Sequence, residues 1–213
     1  MPQQTPWTVS DRDRRILRDL AKRHLEISTL AEMDERRRLW RAHASLAGER
    51  PMVLAETGGV LGEVMPDDRL QCEGDWARAL ERGFRLTIFQ HEQVGDDAVV
   101  EPWLNCGWHV SFSDYGVTAE KRRADTGGRL GSYTWDPPIK DIRRDFEKLR
   151  PRTFRVDREA TARHQAALEE LLDGILPVRI RGAFWWTMGL TWTAIDLIGL
   201  ENLMLFMYDD PEG

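Results

Sequence analysis

The segment ILPVRIRG, residues 175–182, places Arg179 and Arg181 two positions apart inside an apolar run. In a strand, side chains two apart share a face, so the two arginines lie together and Val178 and Ile180 lie opposite. Paired guanidiniums suit the carboxylate or phosphate groups of an anionic ligand. If the aliphatic face meets helices, both arginines point into the interior of a β/α barrel. In such units the site lies beyond the carboxyl ends of the strands. That rule selects Glu56 after the run RPMVLAE, and Glu101, Trp103, Asn105 and His109 after DAVVEP. Glu56 and Glu101 are the candidate catalytic carboxylates, able to position an acceptor or shuttle a proton. They could equally pair with the two arginines inside the fold. Trp103 and Trp192 belong to a set with Trp108, Trp135, Trp185 and Trp186 that falls in loop-like or strand-end segments. Large amphipathic rings there line pockets or cap a core.

Other chemistry is thinly represented. CGWH sets Cys106 and His109 three apart, but two ligands do not make a zinc site, so no metal ligand is assigned. The glycine-rich TGG at 57–59 and TGGRLG at 126–131 lack the full dinucleotide pattern, and no phosphate-loop lysine or nucleophile elbow occurs. His24, His43, His91 and His164 read as packing or surface residues on helices.

The elements that must position these groups alternate. Two helices fill residues 10–46, the first capped by Ser10 and burying Ile16, Leu17, Leu20, Ala21 and Leu25. A short strand at 50–56 follows, then a helix capped by Asp75 with Trp76, Leu80, Phe84 and Ile88 on one face. A second strand, DAVVEP, stops at Pro102. The irregular stretch 103–135 contains a hairpin strand, HVSFSDYGV, and is longer than an ordinary connection. Helices are expected from Pro137 to Pro151 and from Asp157 to Gly174, then the third strand, then one or two closing helices. Apolar strands spaced by helices indicate parallel β/α units.

The chain has 213 residues, 41% of them hydrophobic, and a formal charge of −6. An acidic balance argues against general nucleic-acid binding. Two cysteines are too few for a disulfide framework, no apolar leader is visible, and the apolar stretch 194–208 is broken by Asp196, Gly199, Glu201 and Asn202. A cytoplasmic protein with no membrane span is expected. The closing DDPEG reads as a helix start, with Asp210 as N-cap and Pro211 at the first helical position.

In order, RPMVLAETGG, DAVVEP, DGILPVRIRG and LTWTAIDLIGLENLMLFMYDDPE resemble the uroporphyrinogen decarboxylase-like superfamily over most of residues 11–213. The resemblance implies the first half of a (β/α)8 barrel over 49–213, preceded by a helical segment over 1–48, with the chain ending at a helix start because it is truncated. Such a half-barrel would need a partner, a second copy or a complementing chain, to cover its open sheet edge. The superfamily contains a cofactor-free tetrapyrrole decarboxylase and methyltransferases that use corrinoid carriers and zinc. The decarboxylase would bring an arginine after the first strand, an aspartate after the second and a downstream tyrosine. Here no arginine lies between Glu56 and Met65, no aspartate lies in Glu101–Leu104, and Leu197 stands at the tyrosine position. The resemblance therefore implies a corrinoid-linked methyltransferase before a decarboxylase, with a non-catalytic binding module as a further alternative. In it, Glu56 and Glu101 act on the substrate while Arg179, Arg181, Trp103, His109 and Trp192 bind it. A corrinoid carrier protein is the implied partner, and any zinc ligands fall in the later half of the barrel.

Overall fold

A computed structural model describes residues 7–123, 133–182 and 189–209. In chain order its elements are α1 (Asp11–Ser28), α2 (Ala31–Ala44), α3 (Leu61–Val64), α4 (Asp75–Phe89), β1 (Leu104–Gly107), β2 (His109–Phe112), β3 (Lys121–Arg123) and β4 (Tyr133–Trp135). Then come α5 (Ile142–Asp145), β5 (Phe154–Asp157), α6 (Arg158–Leu172), β6 (Val178–Arg181), α7 (Leu190–Ile198) and α8 (Leu200–Asp209). The fold is mixed α/β and mostly helical, and among the described residues the strands pair only two by two, with no closed sheet.

Two compact units result. The first comprises Met1–Trp108 with Arg158–Gly182, and the second His109–Asp157 with Ala183–Gly213. The N-terminal helices thus share one unit with β1, α6 and β6.

In the first unit, Ser10 Oγ accepts from the Asp13 amide at 3.1 Å and starts α1. The buried stripe of α1 runs Asp13, Leu17, Ala21, His24 and Ser28, a helical repeat that includes three polar residues. Leu17 and Ala21 join Cys72, Ala77, Phe84, Leu171, Leu172 and Leu176 in the core. Asp75 does not cap α4 as expected; Gly74 does, and the amides of Glu73 and Gly74 bond to the Asp13 carboxylate at 3.2–3.3 Å. A carboxylate borrowed from α1 thereby fixes where α4 begins.

The expected first two strands form no ladder. Val53 and Ala55 donate their amides, at 2.8 Å each, to the side chains of Asp97 and Asp96. These carboxylates take alternate N–H groups that a neighbouring strand would otherwise bind. Arg50 grips Asp97 from the other side at 2.5 and 2.8 Å. Pro102 lacks an N–H, so the ladder opens only beyond it, where Leu104 N donates to Pro177 O at 3.0 Å. From there β1 pairs with β6 in parallel, Leu104 opposite Val178 through Gly107 opposite Arg181. The second strand is thus displaced from 97–102 to 104–107, while the third lies where the alternation put it. The His109–Asp157 segment is inserted in sequence between β1 and α6 of this β–α–β unit.

In the second unit, β2 pairs antiparallel with β5, and β3 with β4. The expected long helix after Pro138 is only the single turn α5 with a further 3-10 turn. Asp145 cuts it short because its buried carboxylate accepts the amides of Lys140 and Asp141 and folds the preceding chain back onto itself. Between α7 and α8, Gly199 has φ +89°, and a Cβ there would lie 2.9 Å from Pro137 Cγ, so only glycine fits. Among the described residues no single helix is long and apolar enough to cross a membrane; α7 and α8 reach that length only together and are bent by 95° at Gly199. The TGGRLG loop, Trp185, Trp186 and the Asp210–Pro211 helix start lie outside the described residues.

Candidate ligand site

β1 and β6 owe their two faces to strict alternation. Leu104 and Val178 pack on the core, with α6 against both strands, and Cys106 is fully buried on that same face. Asn105, Gly107, Arg179 and Arg181 occupy the opposite face, in register as Asn105 with Arg179 and Gly107 with Arg181. Val178 thus packs on the core while Ile180 is 37% exposed, and both arginines lie on the other face; among the described residues no barrel interior receives them.

Arg179 stacks its guanidinium 3.8 Å from the centre of the Trp103 ring, and Trp103 Nε1 donates to Asn105 Oδ1 at 3.1 Å. The stack fixes the plane of the guanidinium, and its exposed donors remain directed to solvent. Arg181 stands opposite Gly107, which has no side chain to cover it, and it forms no ion pair among the described residues. One arginine held by an aromatic ring, one uncovered and an adjacent carboxamide share one exposed face, whose donors have the chemistry to bind an anion.

The expected carboxylates are not brought to it as partners. Glu101 accepts from Arg37 Nε and Nη2 at 3.2 and 3.1 Å, and its backbone carbonyl accepts from His24 Nε2 at 2.9 Å. Internal pairing of Arg179 and Arg181 with Glu56 and Glu101 is absent; Glu56 is exposed in the loop before α3. His109 and Trp192 belong to the second unit. His109 faces Asp157 in the β2–β5 register, and Trp192 is 61% exposed on α7.

Cys106 finds an imidazole other than the one expected. Its Sγ lies 3.7 Å from His164 Nδ1 on α6, not beside His109. Trp76 Nε1 donates to His164 Nε2 at 3.2 Å, and Trp7 stacks on the ring at 5.0 Å. An indole N–H only donates, so Nε2 is the acceptor and Nδ1 carries the proton of the neutral ring. That tautomer gives a proton to sulfur and cannot take one, so the pair is not arranged as a nucleophile with its base. Burial pushes the Cys106 thiol up, and burial together with Glu81 pushes Cys72 up to about 12. Neither thiol is therefore expected to react with a disulfide reagent in the native protein, while both should react at once after unfolding in guanidinium chloride. Rapid native labelling at Cys106 would show an open thiolate instead.

A zinc ion does not fit the described residues. Cys106 and His164 are two donors with no third beside them, and Trp76 already occupies Nε2.

Sequence reasoning missed His24, which joins α1 to the chain just before β1. Burial lowers its pKa from 6.5, and its Nδ1 has no hydrogen-bond partner among the described residues, so the folded state holds it neutral. The unfolded chain takes up a proton there first, so stability should fall as pH drops below 6.5. Glu81, Asp97 and Asp145 act at lower pH. Their pKa values are lowered, so the stability they contribute persists until the pH falls below the ordinary carboxylate range. Urea midpoints measured from about pH 7 to about pH 5 should decline in the wild type and decline less in His24→Gln. Equal slopes would remove His24 from this role.

Comparison with protein-family models, with curated proteins and with solved structures finds no match to this chain.

Proposed function

We propose that the face bearing Arg179 and Arg181 holds the anionic groups of a small-molecule ligand. The chain is read as about the first half of a (β/α)8 barrel of the uroporphyrinogen decarboxylase-like superfamily, of the corrinoid-linked methyltransferase type. The observation that carries this reading is the parallel β1–α6–β6 unit, with both arginines on the face turned away from α6 and one stacked on Trp103. Its strand order agrees with a β/α unit, and the ligand edge lies near the carboxyl ends of the strands, where such folds place their sites.

Trp103 offers a flat apolar surface, and Arg179, Arg181 and Asn105 offer donors at its margin. A corrinoid delivered by a carrier protein presents a phosphate and amide groups that such donors can bind. The corrinoid enters as cargo, because His164, the imidazole beside Cys106 of β1, is engaged by Trp76 and Cys106. Glu101, held by Arg37, and the exposed Glu56 remain the candidates for positioning a methyl acceptor or relaying a proton. The spacing of the two arginines also favours a second reading, tetrapyrrole decarboxylation, in which they grip several carboxylates of one macrocycle.

Equilibrium titrations with hydroxocobalamin and with uroporphyrin separate the two. Tighter binding of hydroxocobalamin supports the methyltransferase reading, and tighter binding of uroporphyrin supports the decarboxylase. Binding of neither overturns the ligand site.

A further inference from the structure

The pair α7–α8 is largely apolar, yet none of its residues is buried. Trp192, Leu200, Met204, Leu205, Met207 and Tyr208 are between 51% and 87% exposed. At ~200 Å² for a fully exposed large side chain, they leave on the order of 800 Å² of apolar surface uncovered. Monomers rarely leave more than about 300–600 Å² in one patch, and about 800 Å² per partner is what a stable interface buries. On α8, Leu200, Met204, Met207 and Tyr208 recur at helical spacing along one side.

We propose that this surface is the interface of a homodimer, with α8 of one copy lying along α8 of the other. Charge decides against a lipid surface. Residues 189–209 contain Asp196, Glu201 and Asp209 but no lysine or arginine. Helices that lie on membranes carry cations on their polar side. A second copy supplies an apolar face of matching composition, and a two-fold axis brings each α8 to the same patch on its partner. Met204 falls near the middle of α8, close to such an axis. The acidic residues at the two ends of α8 repel across the interface, so added salt tightens the association by screening them. The inference stands apart from the ligand reading, because α7 and α8 belong to the second unit and the arginine edge to the first.

Light scattering over a concentration series tests it. The expected result is a mass rising toward twice 24.7 kDa, with the transition moving to lower concentration as sodium chloride is added. Leu205→Glu with Met207→Glu should return the mass to 24.7 kDa with an unchanged far-ultraviolet spectrum. Met204→Cys, otherwise wild type, should form a disulfide-linked dimer on mild oxidation, since Cys72 and Cys106 are buried; this arm decides if the double variant fails to fold. A mass of 24.7 kDa at every concentration overturns the proposal. So does a dimer indifferent to the double substitution, or a monomer that sediments with phosphatidylcholine vesicles.

Discussion

Glu81→Ala is expected to lower the stability of the first unit by about 3 kcal/mol, the low end for breaking a buried ion pair. Glu81 is fully buried in α4. It accepts the Gln71 amide at 2.9 Å, the Cys72 amide at 2.8 Å and Arg85 Nε at 2.7 Å. Burial opposes its charge most strongly, yet these donors outweigh that and hold its pKa below the ordinary value. Removing the carboxylate strands the Cys72 amide in the interior, takes the acceptor from the part-buried Gln71 amide and leaves Arg85 unpaired. The low end applies because Arg85 keeps 26% of its side-chain exposure and can turn to water. Urea unfolding followed by tryptophan fluorescence measures the change. The exposed Arg38–Glu35 pair is the control, and Glu35→Ala should shift stability far less. Equal effects from the two substitutions would mean that the Glu81 network contributes no more than a surface pair.

Arg179→Met with Arg181→Met is expected to weaken anionic-ligand binding by on the order of 100-fold or more, because each charge-assisted bond is worth about 1.5–3 kcal/mol. Methionine keeps the length and the apolar stem, so the strand and its ladder should remain intact. Each single substitution should lose less. Arg179→Met also releases Trp103 from its stack, which an altered fluorescence maximum should report. Wild-type affinity should fall with added salt, and the double variant should show a flatter salt dependence. An unchanged dissociation constant in a folded double variant would remove both residues from binding.

How far the sequence discloses this molecule depends on whether one residue's pattern is local. The alternation in PVRIRG places β6 and sorts its two faces, and the Ser10 cap and the apolar stripe of α1 lie where helical periodicity puts them. The strands at 50–56 and 97–102 follow from apolar pattern alone, yet neither forms there. Their ladder is displaced by Asp96 and Asp97, whose carboxylates reach back some forty residues to Val53 and Ala55. Asp145 shortens α5 by the same means. The arginine edge was legible because both of its cations sit on one strand. Its Trp103 stack and the Cys106–His164 contact join distant segments, and single-chain spacing pointed to His109 instead. One signal was present for the buried network: Asp13 and Glu81 interrupt the apolar stripes of α1 and α4 in phase, where a charge persists only if the fold supplies donors.

The central claim, that the face carrying Arg179 and Arg181 receives an anionic ligand, is tested most directly by amide hydrogen exchange with and without uroporphyrin or hydroxocobalamin. Slower exchange in segments 102–108 and 176–182 together, abolished in the double methionine variant, is the predicted result. Exchange unchanged in both segments, or slowed equally in the variant, would contradict it.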